Sequence, residues 1–596
     1  MNRGSGERIT PSQIAAAVAI GCVLLVVAAA YLALTAAQWW ATGAWEFTAP
    51  FTPLLGLATG EWRWTSTATV FALIEAAAAA AVGVGVAGAV RRRWRSGVST
   101  KATDDAARRM STRRDHVALR AEVDRTAQRL QIEGAEPGIC VGRSVTTGQR
   151  VYAPWEYLHL TIAGPGRHKT VAQVVPAILR APGACMASTN KDDVVKLTRL
   201  GRSYKGETWV FDPQEIVGEE PTWWWNPLRQ IKKLSDAEEL MGVLADANSD
   251  AEQRARADGF FDPKGKSVLA WCLLAAALDG RQITVVYEWL TDSQNTDPDD
   301  ILRAHGATVA AVGLQGMRRL PEKTRESVFA TAEVFVGWLT NPDITRWVTC
   351  PPAQMETRAE FQPEHFVAST DTLYLLSRKG AGSAAPLTTA LSAAVLNTAD
   401  RAADRAPGSR LNPPLVAALD EVANTVRWRQ LPDLYTYYRS KGIVVLAWLQ
   451  TWGQGVEAFG QHGMETLWDA AACKTYGGGL SDTSVLLKRI SDLVGEWDAP
   501  QITRSTDPRT LIGAQQMSEG TREKPILPVS ELGRLAPRRM VVLLQGVAPM
   551  MIDAEPYWES DLAPLVEDSK RLYGEPTPPQ ADDAEGGDAV SLEKSS

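Results

Sequence analysis

At 596 residues, 45% of them hydrophobic and 22% charged, the chain has room for roughly three or four domains and enough apolar content to give them cores. Its net charge of −7 carries no overall signature of a nucleic-acid binder, although a sum over domains can hide a basic channel. Cys22, Cys140, Cys185, Cys272, Cys350 and Cys473 include no C-x-x-C pair and the histidines are dispersed, which argues against a disulfide framework or a zinc cluster and suits a reducing cytosol.

The chain opens on a stretch without charge, residues 10–44, within which Ile14 to Ala37 is long enough to span a bilayer. It lacks the small-residue end of a cleaved signal peptide, so a retained helix is expected. Trp39, Trp40, Trp45, Trp62 and Trp64 suit an interfacial aromatic belt, and Ser66 to Val90 forms a second apolar stretch broken only by Glu75. Arg3 and Arg8 precede the first stretch, and Arg91, Arg92, Arg93 and Arg95 follow the second. By the positive-inside rule this predicts a two-span anchor over 1–95 in the cell (cytoplasmic) membrane, with both termini cytoplasmic. Residues 96 to about 135 are charged and helix-prone and read as a stalk.

Leu158 to Ala163 reads as a buried strand, followed by Gly164-Pro165-Gly166-Arg167-His168-Lys169-Thr170 and an apolar helix. Strand, glycine-rich loop, Lys-Thr and helix form a phosphate-loop context. The loop's backbone N–H groups would cradle phosphates, Lys169 would reach the β- and γ-phosphates, and Thr170 would hold Mg²⁺. The consensus G-x-x-x-x-G-K-(S/T) is not met, because Ala163 and His168 stand at its two glycine positions. Two readings follow. Either Gly164 and Gly166 form a shorter loop that still binds nucleotide, or a side chain before Lys169 weakens or abolishes catalysis.

Further strands are predicted at Ala184–Ser188, Thr208–Phe211, Thr372–Leu376, Leu415–Leu419, Ile443–Leu449 and Met540–Leu544, alternating with helices. The alternation predicts an α/β fold with a doubly wound, mostly parallel sheet. From about Gln230 to Cys350 the rhythm gives way to helical periodicity, as in KSVLAWCLLAAAL and RESVFATAEVFVGWL, which predicts an inserted all-α domain. The expected boundaries are 96–230 for the stalk and first part of the nucleotide-binding domain, 231–350 for the insertion, 351–572 for the second part, and 573–596 for a disordered acidic tail.

The apolar run Leu415–Leu419 ends in Asp420-Glu421, and the run Ile443–Leu449 ends in Gln450. In a parallel sheet that edge is where ligands sit. An acid pair there suits a Walker B site, with Asp420 holding Mg²⁺ and Glu421 polarising the attacking water, while Gln450 senses the γ-phosphate. Lys379 beside Gly380-Ala381-Gly382-Ser383, and Lys488-Arg489, read as exposed-loop charges.

Together these pieces resemble the TraG/TraD-type coupling proteins of conjugation and type IV secretion. The resemblance rests on the paired spans, the phosphate loop, Phe211-Asp212-Pro213 with Trp225-Asn226-Pro227-Leu228, PPLVAALDEVAN, Gln450 and GQGVEAFG over Gly453 to Gly460. It implies a RecA-like ATPase that works as a homohexamer with ATP and Mg²⁺, anchored in the membrane. Its implied partners are single-stranded DNA with its attached relaxase, and the secretion channel. It also implies a role for Arg439, as an arginine finger that reaches the neighbouring subunit's nucleotide. Two other readings stay open: a non-hydrolysing membrane scaffold that recruits DNA or relaxase, and a DNA pump resembling the FtsK group.

Overall fold

The computed structural model describes residues 31–43, 52–60, 63–74, 101–132, 134–248, 259–380, 383–479, 484–506 and 515–574. Two compact units divide the chain, Met1–Ser99 and Thr100–Ser596. In the first, helices run over 31–42, Thr52–Thr59 and 66–74, and Leu34, Ala37 and Ala68 bury one another against Leu57 and Phe71. Among the described residues no helix is long and apolar enough to cross a membrane. Much of both expected spans, and the acidic tail from 575, lies outside the described residues.

The second unit is built on strands β1 (Ile139–Ser144), β2 (Arg150–Ala153), β3 (His159–Ile162), β4 (Cys185–Thr189), β5 (Thr208–Phe211), β6 (Trp223–Trp224), β7 (Ala359–Glu360), β8 (Thr372–Leu376), β9 (Leu415–Leu419), β10 (Ile443–Leu449), β11 (Cys473–Tyr476), β12 (Glu496–Thr506), β13 (Gln515–Pro525), β14 (Arg539–Leu544) and β15 (Met550–Asp553). An 11-stranded sheet runs in the order β2-β1-β15-β14-β11-β3-β10-β9-β4-β8-β5. From β11 to β5 every pairing is parallel, and from β11 to β2 every pairing is antiparallel. The sheet is therefore mostly parallel, as expected, with an antiparallel end. Met540–Leu544 falls in that end: the connection between β14 and β15 is too short for a crossover and allows only antiparallel pairing.

The central strands read as unbroken apolar runs because both faces are covered. Leu415, Ala417 and Leu419 face one core with Val445, Ala447 and Leu449, against the helices Ala385–Arg405, Leu431–Lys441 and Trp452–Ala470. Val416, Ala418, Leu446 and Trp448 face the other, against Val174, Ile178, Val194 and Val195. Each such fully buried Leu, Ile or Val contributes about 1.5–3 kcal/mol relative to exposure.

Between β6 and β7 every described element is helical, from Leu234–Asn248 to Pro342–Thr345, and Leu269, Leu273, Leu302, Leu314 and Phe329 bury together there. This core is continuous with that of the sheet. The residues expected to form a stalk instead pack on the sheet. Ala106, Ala107 and Met110 of the helix Lys101–Met110 enter the main core, and Leu119 and Val123 of Arg113–Arg129 lie with Val141, Val151 and Ile552. The spacing of Leu119, Val123 and Ala127 makes a buried stripe, which a charge-weighted reading of the segment overlooks.

Candidate nucleotide-binding site

Strands β3, β10, β9 and β4 lie side by side and parallel, so the segments after them meet at one edge. The phosphate loop leaves β3 with Ala163 N–H donating to Leu449 O at 3.1 Å, and Gly164 N–H donating to Gly478 O at 2.9 Å. A Cβ on Gly164 would stand 2.5 Å from Gly479 O, so this close approach needs glycine. Gly166 (φ +70) makes the left-handed turn. Arg167 donates through Nη1 to Leu535 O at 2.8 Å, which ties the loop to the segment before β14.

His168 has φ +63. A left-handed backbone costs a non-glycine residue about 1–3 kcal/mol, which is the physical reason that a glycine suits this position. The ring lies edge to face with Trp558, 6.3 Å between centroids, and burial together with the Arg538 charge lowers its pKa below the ordinary imidazole value. Lys169 then opens the helical segment, whose first turn, Thr170–Val174, is wound as a π-helix before the α-helix Val175–Arg180. Such turns often occur at functional sites.

Lys169 is buried, with its Nζ 3.4 Å from Leu449 O. Burial lowers its pKa, while the charges of Asp420 and Glu421 act to raise it. Asp420 is buried at the end of β9, and burial pushes its pKa up to about 7, opposed by Lys169 and assisted by Glu421 and Asp193. Its Oδ1 is buried without a hydrogen-bond partner. An orphaned carboxylate oxygen close to the Lys169 charge, in this loop context, fits a hard cation such as Mg²⁺. No group of His, Cys, Asp and Glu among the described residues forms an all-protein cage. Mg²⁺ typically takes one or two protein oxygens and the rest from phosphates and water.

Glu421 is the most constrained carboxylate of the site. Its backbone is left-handed (φ +50), its Oε1 accepts from Gln450 Nε2 at 2.5 Å, and its Oε2 accepts from Asn190 Nδ2 at 2.5 Å and Asn424 Nδ2 at 3.1 Å. A strained backbone kept at a charged, amide-bound side chain is a mark of function. Beneath it, Ser188 Oγ and Thr425 Oγ1 are 2.9 Å apart and Asp420 N–H donates to Ser188 O at 3.0 Å, which fastens the ends of β4 and β9 together.

The structure thus brings Gly164, Gly166, His168, Lys169, Thr170, Asp420, Glu421 and Gln450 to one edge. Arg439 is elsewhere. It lies near the end of the helix Leu431–Lys441, just before β10, where Nη1 donates to Gln545 Oε1 at 2.6 Å and the guanidinium covers the Tyr157 ring. That is the opposite edge of the sheet. Lys379 pairs with Glu457 and Arg489 with Asp469.

Sequence reasoning missed Asn190 and Asp193, which follow β4, Asn424 and Thr425, and the Gly477-Gly478-Gly479 turn after β11. The polar run Ser188-Thr189-Asn190-Lys191-Asp192-Asp193 after a buried strand was the available signal for the first group.

Residues 414–537 match the family model described as the TraM recognition site of TraD and TraG. Among solved structures, the chain is similar to the bacterial conjugative coupling protein TrwBdeltaN70 in its unbound monoclinic form, with 16% identity and a TM-score of 0.51 over 72% of this chain and 91% of that one. It is also similar to the trigonal form of TrwBdeltaN70 in complex with sulphate, with 16% identity and a TM-score of 0.50 over 72% and 92%. No curated protein matches the chain in sequence. The resemblance to TraG/TraD-type coupling proteins thus stands on a family match over 414–537 and on a shared fold over most of the chain.

Proposed function

We propose that this TraG/TraD-type chain is a membrane-anchored ATPase that couples a relaxase-bound single-stranded DNA to a type IV secretion channel and drives its translocation. The observation that carries the reading is the convergence at one sheet edge of Lys169, the unpartnered Oδ1 of Asp420 and an amide-clamped Glu421.

Each residue has a distinct task. The N–H groups of Gly166 to Thr170 and the Lys169 ammonium neutralise the β- and γ-phosphates of ATP. Thr170 and Asp420 would hold Mg²⁺, which when bound would supply positive charge to offset that of the phosphates. Glu421, acceptor-only when ionised and fixed by Asn190, Asn424 and Gln450, orients the attacking water along the line to the γ-phosphorus. Gln450 reaches Glu421 from the neighbouring strand, so a change at the γ-phosphate is passed to β10 and the helix Trp452–Ala470.

Arg439, on the opposite edge, serves in trans: in a ring of subunits it completes the neighbour's site and offsets charge developing on the transferred phosphoryl group. DNA is gripped by phosphate contacts with little sequence preference. The N-terminal unit anchors the assembly in the cell membrane through the apolar stretches 14–37 and 66–90.

ATP hydrolysis by the full-length chain in detergent, with and without single-stranded DNA, tests the reading alongside Lys169→Ala and Glu421→Gln. DNA-stimulated turnover that both substitutions abolish is the expected result. A folded, oligomeric, DNA-binding protein without turnover would overturn the motor and leave a scaffold.

A further inference from the structure

The two side chains between Gly166 and Lys169 are both held from outside the phosphate loop, by residues far along the chain. Arg167 is tied to Leu535 O, and the His168 ring meets Trp558 with 65° between planes. Trp558 belongs to the turn Tyr557–Glu559, and that turn is itself fixed. Arg538 donates to both carboxylate oxygens of Glu559 at 2.7 Å, and Trp558 stacks edge-on with Tyr557 at 5.1 Å. Tyr557, Leu562 and Val566 bury against Val175 and Leu179, in the helix that the loop opens, and against Leu197. The turn therefore rides on the same helix whose first residues present Lys169 and Thr170.

We propose that Trp558 is a positioning residue for the phosphate loop, holding the His168 ring so that a residue other than glycine keeps the left-handed backbone ahead of Lys169. The proposal rests on the nucleotide reading of the loop. The physical need is specific. Glycine enters this conformation freely, whereas histidine relaxes out of it unless something outside the loop favours the strained state. Relaxation would swing the peptide between His168 and Lys169, and its N–H would no longer point into the phosphate cradle. Trp558 is about half exposed, at 48%, so its contact with His168 is a poor contributor to the core and a ready one to loop geometry.

The test is a double-mutant cycle on the full-length chain, read by fluorescence titration with N-methylanthraniloyl-ADP and by ATP steady-state kinetics. Trp558→Ala is expected to weaken nucleotide binding about three- to tenfold, the range of one aromatic pair, and to raise KM more than it lowers kcat. Trp558→Phe, which keeps an aromatic edge, restores most of the affinity. In a His168→Gly background, Trp558→Ala has little further effect, because the loop no longer needs the contact.

Equal losses in both backgrounds would show a general structural role for Trp558 and overturn the proposal, as would unchanged affinity in Trp558→Ala. Wild-type protein that binds no labelled nucleotide would end the nucleotide reading first, and this proposal with it.

Discussion

Gly164→Ala is the sharpest single perturbation of the phosphate loop. The added methyl would stand 2.5 Å from Gly479 O, 3.0 Å from Gly479 C and 3.2 Å from its Cα, all backbone atoms with no rotamer through which to escape. An acceptable carbon–oxygen contact is about 3.3 Å or more, so the loop and the glycine turn must part by roughly 0.8 Å. That separation stretches the 2.9 Å bond from Gly164 N–H to Gly478 O. Overpacking costs about 1–3 kcal/mol and a lost hydrogen bond about 0.5–1.5 kcal/mol, so a destabilisation of about 2–4 kcal/mol is expected. Gly166→Ala is the internal control. Nothing lies within 4 Å of its Cβ, and only the left-handed φ of +70 resists the change, for about 1–2 kcal/mol. Urea denaturation followed by tryptophan fluorescence measures both, and nucleotide titration shows whether the loop still closes. The reasoning fails if Gly164→Ala is as stable as wild type, or if Gly166→Ala is the more damaging of the two.

Other expectations follow from the same contacts. Burial holds the His159 imidazole down at about 3, against roughly 6.5 in an unfolded chain, so the neutral ring stabilises the fold fully above pH 6.5 and progressively less as pH falls toward 3. Between pH 7 and 5 the loss is about 2 kcal/mol, and His159→Gln should flatten that part of the urea-stability profile. Gln450→Ala removes the amide on Glu421 Oε1 and should lower turnover about ten- to a hundredfold with little change in nucleotide affinity, a split that steady-state kinetics resolves. Arg202 is fully buried and donates to Thr372 Oγ1, Ala181 O, Gly183 O and Thr370 O, so Arg202→Leu should cost more than about 3 kcal/mol in chemical denaturation. If Arg439 acts in trans, mixing inactive Lys169→Ala and Arg439→Ala proteins should restore partial ATP turnover, and a mixture as inactive as its parts would remove Arg439 from the site.

Much of the candidate site's edge was legible in the residues alone. A parallel strand buried on both faces tends to be a continuous apolar run, so β5, β8, β9 and β10 were marked to the residue in sequence, and β3 and β4 to within one residue at each end. Polar residues at the ends of such runs, Lys169-Thr170, Asp420-Glu421 and Gln450, then fall at one sheet edge by topology. Short strands of mixed composition were not legible: β1, β2, β11 and β15 escaped because ICVGRS, RVYA, CKTY and MMID are too brief and too mixed to read as apolar runs. The same limit hid the clamp on Glu421. Asn190, Asn424 and Gln450 converge only because strand order places β4, β9 and β10 side by side. It also hid how His168 is tolerated, since sequence registers a missing glycine but not a Trp558 beside it. Local chemistry is written residue by residue, whereas support from a distant segment exists only once the chain has closed on itself.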